Sequence, residues 1–317
     1  SKDIILFNSG FWALVIAIKS KLDKSESKVV LLPSLTYRRL ADAVYWAGGI
    51  PCFCDVEEET LALDKNFIFD YLKKNNSVGA IILVQPIVGS VDIDDYLLIS
   101  ENFSVPLIVD SVESVHDTIN KKKCGSFDVP EVFSLHASKF INGFEGGYLS
   151  ISQNKDKVQI KRIIENLGPN NLKLNPFHAT IAYHNLKYLN KFIDHNKLVY
   201  QTYKIEFNKI KFEKFGNILD FPKNDISGFK NIVLKLSDEF NVAERLVNYL
   251  NSKGIYCRMH YSPALHRKNY SYKTLCPSTL SVTEKLEAKL VNLPCGWRFK
   301  ATKVRHICEM IFKFFNA

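Results

Sequence analysis

Between residues 4 and 151 short apolar runs alternate with stretches of helical spacing, and that alternation limits the fold more than any single residue does. The apolar runs fall at 4–7, 29–32, 50–56, 80–84, 107–109, 131–134 and 147–151. Helical periodicity fills 11–21, 37–47, 65–74 and 92–102 between them. Strands alternating with helices build βαβ units around a mostly parallel sheet covered on both faces. The fold class expected is therefore α/β. In such sheets ligands bind at the carboxyl ends of the strands. Beyond a polar turn at 167–171, a long helical stretch is expected over 175–207. The composition then changes: 208–225 is basic and aromatic, interrupted by Gly216 and Pro222. The rest reads as a smaller α+β unit, with strands at 230–236 and 254–260 and helices at 241–253, 283–291 and 303–314. A large domain over residues 1–205 and a small C-terminal domain over 206–317 are expected.

Composition removes several function classes. The longest apolar runs are far shorter than the roughly 18 residues that span a bilayer, so no membrane segment is expected. The first residues are too short and wrongly flanked for a signal peptide. Seven cysteines (52, 54, 124, 257, 276, 295 and 308) show neither metal nor redox spacing and fit reduced thiols. No metal site is expected, and the protein is read as cytoplasmic. The net charge of +9 comes from scattered lysines without an arginine-rich stripe, so no nucleic-acid partner is expected. Such a bias either steers an anionic small substrate or, the reading preferred here, reflects no more than a lysine-rich coding habit.

The chemistry concentrates in one stretch, FSLHASKFINGFEGGY at 133–148. It places Lys139 in a loop after a short strand, closed by Glu145, Gly146 and Gly147. Asp110 ends another apolar strand upstream (VPLIVD at 105–110). A lysine and a lone aspartate, each at or just beyond a strand end, suggest a Schiff-base site of the kind that holds pyridoxal phosphate.

Further stretches extend this pattern: NSGFWAL at 8–14, LPSLTY at 32–37 running on to GIPCFCDV at 49–56, NLKLN at 171–175, HYSPALH at 260–266, and Leu293 with Pro294. In order and over nearly the whole chain, they resemble the DegT/DnrJ/EryC1/StrS family of pyridoxal phosphate-dependent sugar aminotransferases, of the aspartate aminotransferase fold type I. The resemblance implies that Lys139 forms the Schiff base and later moves the proton, and that Asp110 holds the protonated pyridine nitrogen. It implies that Tyr37 stacks on the ring. Ser9, Gly10 and Phe11 would start the helix that receives the phosphate, with Ser134 adding a hydroxyl. Asn171 would be contributed by the neighbouring subunit of a homodimer with shared active sites. His260, Tyr261 and His266 would face substrate. The substrates implied are a nucleotide-linked keto sugar and an amino donor, glutamate or glutamine, in the assembly of surface glycans or secondary metabolites.

The chain departs from the family pattern at several points. Phe11 stands where the family has threonine, followed by the bulky Trp12. Glu113 stands where it has histidine or glutamine near the cofactor's phenolic oxygen, an unfavourable place for a second carboxylate unless it is protonated or turned away. Lys173 and Pro176 replace an arginine and a glutamate. These departures motivate the rival reading, a non-catalytic relative that serves as a binding or assembly protein.

Overall fold

The computed structural model describes residues 2–220 and 226–316; the expected interruption at Pro222 lies outside them. Strands β1 (Asp3–Phe7), β2 (Val29–Pro33), β3 (Ile50–Cys54), β4 (Ala80–Val84) and β5 (Leu107–Asp110) come first. After a small hairpin, β6 (Thr118–Ile119) and β7 (Lys122–Lys123), come β8 (Glu131–Ser134) and β9 (Gly147–Ile151). Seven of these form one sheet in the order β1-β9-β8-β5-β4-β2-β3. The pairs β2–β3, β2–β4, β4–β5 and β5–β8 are parallel; only β9 runs against its neighbours β8 and β1. β1 therefore points the same way as β8, and all the other strands open their carboxyl ends on the same side.

Alternate strand residues point to opposite faces, and both faces are filled. Leu32, Phe53, Ile82, Ile108 and Val132 join one core under helices α1 (Gly10–Leu22), α2 (Arg39–Trp46) and α5 (Asn154–Leu167). Leu31, Cys52, Cys54, Ile81, Leu83 and Val109 join the other, under α3 (Lys65–Lys74) and α4 (Asp94–Asn102). Cys52 and Cys54 share a face, as their spacing predicts, and act as small apolar core residues. Emptying one of these positions, as in Leu31→Ala, costs about 2–5 kcal/mol.

The stretch expected as one helix over 175–207 is two, α7 (Pro176–Leu186) and α8 (Leu189–Lys209), parted at Lys187 and Tyr188; a short α6 (Pro169–Leu172) precedes them. Residue 205 lies inside α8, whose Val199, Tyr203 and Phe207 pack into the second core. That core belongs to a four-stranded antiparallel sheet of β10 (Gly216–Ile218), β11 (Ile232–Leu236), β12 (Arg258–Met259) and β13 (Leu290–Leu293), ordered β10-β11-β13-β12. Helices α8, α9 (Ala243–Ser252) and α11 (Val304–Phe315) cover one face. Val233 and Leu290 on the other face pack with Leu35, Ile87 and Val88 of the first sheet's loops.

Two expectations are corrected here. The helix expected over 283–291 stops early: α10 is Ser281–Glu287, and β13 is a strand pairing with both β11 and β12. Leu286, Leu290 and Leu293 have helical spacing, but the small sheet is covered on both faces, so all four β13 positions, the polar Asn292 included, are buried and no period of two shows. Of the strand expected over 254–260, only β12 pairs. No helix among the described residues is long and apolar enough to cross a membrane, and none of their His, Cys, Asp and Glu side chains form a metal-binding group.

Candidate active site

The carboxyl ends of β1, β2, β4, β5 and β8 open onto a cleft of about 990 Å³, closed on the far side by Arg258 to Ser262 of the small sheet and its following loop. Asp110 forms its floor. The carboxylate is 8% exposed and accepts one hydrogen bond within its own turn, from the Val112 N–H at 3.2 Å. Burial pushes it up to about 6, against the pull of that N–H and of Lys139. A buried acid with so little compensation lacks a cation.

Lys139 reaches the same cleft from the loop after β8. That loop is pinned by backbone bonds from Leu135 N to Gly146 O (2.9 Å), Gly143 N to Leu135 O (2.7 Å) and Ala137 N to Phe144 O (3.0 Å). The Lys139 N–H closes a turn on His136 O at 2.8 Å. Gly147 then starts β9 against the beginning of α1, so close that a Cβ on it would lie 2.5 Å from Gly10 N. Only glycine permits that approach. A Cβ on Gly10 would in turn meet Ser134 Cβ at 2.9 Å. Ser9 caps α1 by accepting from Trp12 N at 3.2 Å. The free N–H groups of that helix start, where an anion is favoured, thus face the cleft beside the Ser134 hydroxyl.

Of the residues singled out from sequence, Ser9, Gly10, Phe11, Tyr37, Asp110, Glu113, Ser134, Lys139, His260 and Tyr261 line this one cleft. Tyr37 does so with its ring 62% exposed, as a stacking group must be. His266 does not line it: its Nδ1 lies 2.7 Å from Ser34 Oγ behind the end of β2, and its Nε2 lies 3.4 Å from Glu284. Asn171 does not line it either. It is exposed on α6, held where its carbonyl accepts from Asn8 Nδ2 at 2.7 Å.

Several lining residues escaped the sequence reading. Arg38 and Arg39 directly follow Tyr37, a signal that was present; Arg39 sits 4.3 Å over the Phe11 ring. Trp46 meets Trp12 edge-on at 5.9 Å and widens the aromatic wall. Arg258 and Lys268 come from the small sheet and its loops, where nothing local marks them.

Glu113 is neither protonated nor turned away. Burial works to raise its carboxyl, but Lys139 and Lys230 outweigh burial and hold it down at about 2. Its Oε1 accepts from Lys139 Nζ. His260 is pushed down to about 4 by burial and then by Arg258, so it is neutral at physiological pH. Its Nδ1 has no hydrogen-bond partner, and its ring stacks on Tyr261 at 4.7 Å.

The model of the DegT/DnrJ/EryC1/StrS aminotransferase family matches residues 1–312. The chain belongs to that family. Among its relatives, UDP-4-amino-4,6-dideoxy-N-acetyl-beta-L-altrosamine transaminase of Campylobacter jejuni (strain 81-176) is 23% identical, over 98% of this chain and 85% of the relative. GDP-perosamine synthase of Vibrio cholerae is 24% identical, over 98% and 85%. Among solved structures, DesI in the presence of its TDP-sugar product superposes with a TM-score of 0.87 at 20% identity, covering 97% of this chain and 79% of that one. Helicobacter pylori PseC, an aminotransferase of pseudoaminic acid biosynthesis, gives 0.86 at 19%, covering 99% and 86%. The structural likeness fixes the fold as that of pyridoxal phosphate-dependent aminotransferases.

The residues of this aminotransferase fit that cofactor. Asp110 is a buried acid short of a cation, which a protonated pyridine nitrogen supplies. Gly10, Ser134 and the α1 start form an anion cradle, and Lys139 offers an amine. The fit is looser at Phe11, which has no hydroxyl for a phosphate.

Proposed function

We propose that this protein transfers an amino group from glutamate or glutamine to a keto sugar linked to a nucleotide, with pyridoxal phosphate as cofactor. One observation carries the proposal: Asp110 and Lys139 open on the same cleft, the acid buried without a matching cation and the amine held in a pinned loop. The relatives named for nucleotide-linked amino sugars support the substrate class. The bound cofactor supplies an electron sink for the bond to hydrogen that must break.

The chain's own residues do the rest. Asp110 keeps the pyridine nitrogen protonated through its negative charge. Lys139 would hold the cofactor through its amine and, when that amine is free, would accept and return a proton at Nζ. Ser9, Gly10 and Ser134 would hold the phosphate, and Tyr37 would stack on the ring. Neutral His260 lines the cleft on the side of the small sheet, where the sugar would meet it. The protein acts as a homodimer in which Asn171 serves a second copy's cleft; its position outside the cleft of its own chain supports this.

The test is direct. Protein mixed with pyridoxal phosphate should develop a visible band that borohydride bleaches, with the label on Lys139 by peptide mass spectrometry and absent from K139A. A panel of nucleotide-linked keto sugars, assayed with glutamate and glutamine, then identifies substrate and donor. A protein that stays colourless and unlabelled would instead be a non-catalytic relative.

A further inference from the structure

Glu113 departs most sharply from its family, and it gathers more polar partners than any other side chain in the cleft. Its Oε1 accepts from Lys139 Nζ. Its Oε2 lies 3.7 Å from Lys230 Nζ and 3.4 Å from Asn231 Nδ2. Lys230 and Asn231 lead into β11 of the small sheet. Asn231 is buried, donating to Ile87 O at 3.3 Å and accepting from Asn292 Nδ2 at 3.3 Å. One carboxylate thus stands between two ammonium groups, one from each sheet.

We infer that Glu113 holds the nitrogen of Lys139 in check, and that Lys230 sets how firmly by drawing on the same carboxylate. The inference rests on reading Lys139 as the carbonyl-binding lysine. To attack a carbonyl carbon, Nζ must present a lone pair. As the carbon–nitrogen double bond forms, the carbonyl oxygen leaves as water and takes two protons from the nitrogen. Both steps oppose the contact in which Nζ donates to Glu113. Lys230 remains as the cation of Glu113 when Lys139 is engaged, so the carboxylate is not left alone in a partly buried place. A neutral histidine or glutamine at position 113 could exert no such hold, and Lys230 would then have no anion there. The carboxylate and the second lysine form one device.

The device makes a prediction with opposite signs. The full-length protein is labelled at pH 8 with a trace of acetic anhydride, and Lys139 is compared by peptide mass spectrometry with the exposed Lys74. A hydrogen bond between charged groups of this kind changes an equilibrium by about tenfold or more. Lys139 should therefore react about tenfold faster in E113Q. It should react several-fold slower in K230M, where Glu113 has Lys139 alone. E113D, which keeps the charge on a shorter stem, should fall between wild type and E113Q. A purely structural role for Glu113 would not drive the two variants in opposite directions. Unchanged labelling, or labelling that moves the same way in both, overturns the inference. If E113Q does not fold, as judged by its thermal transition, K230M still decides. Pyridoxal phosphate added to the wild type separates the two ideas. No reducible band with opposite-sign labelling would discard the cofactor reading and support the device; a band with unmoved labelling would discard the device alone.

Discussion

Asp110 on the floor of the cleft and Glu113 on its flank are three residues apart, yet their surroundings act on them in opposite ways. At Asp110 burial prevails and lifts the carboxyl to about 6. At Glu113 two lysines prevail and hold it down at about 2. The floor is built by the large sheet alone, and its single N–H bond leaves a charge uncompensated. The flank is shared with the small sheet, which brings Lys230 and Asn231. A site made by one sheet keeps an acid waiting for a cation from outside; a site made by two supplies its own.

The largest way to break this contrast is Asp110→Asn. An amide keeps the Val112 bond but cannot hold a proton on a pyridine nitrogen. Losing one partner of a buried charge pair costs 3–5 kcal/mol, so cofactor retention, measured by equilibrium dialysis, should weaken by roughly 10²–10³-fold. Glu113 gives the next effect. Its folded value lies below the ordinary 4.5, so its stabilisation is present above pH 4.5 and is lost as pH falls towards 2. At 1.36 kcal/mol per unit the loss is about 3 kcal/mol. Urea unfolding from pH 6 to pH 2 should show it in the wild type and not in Glu113→Gln. Asp110 has the reverse sign. Its folded value lies above the ordinary 3.8, so this group lowers stability as pH rises from about 4 to about 6. Without cofactor, Asp110→Asn should therefore be more stable than wild type at pH 7, by about 3 kcal/mol, and lose that advantage below pH 4. The smallest effect is at the phosphate side. Phe11→Thr restores a hydroxyl and should tighten cofactor binding by about 1 kcal/mol, roughly five-fold, by the same dialysis.

Sequence made the large sheet legible because its strands are separated by helices and bounded by turns. Lys139 and Asp110 were legible because each sits at a strand end with recognisable neighbours. The small sheet was harder. The run from Leu286 to Leu293 keeps helical spacing while it changes from helix to strand, and nothing local marks the break at Ala288 and Lys289. Helix α5 gave no clear signal because it buries only Asp156, Ile160 and Ile163 among its 14 residues. Glu113 was visible as a departure, but its partners were not. Lys230 and Asn231 are more than a hundred positions away, and only the packing of one sheet on the other brings them to it. A pairwise contact between two sheets leaves no periodicity to read.

The close approach of Gly147 to Gly10 has a practical meaning for anyone wishing to re-engineer this enzyme. The lysine loop and the start of α1 meet at a point with no room for a side chain, which ties them together as one jaw of the cleft. A library that varies Gly10 or Gly147 samples mostly broken jaws. One that varies Phe11, Trp12, Arg38 and Trp46 explores the mouth around a fixed hinge.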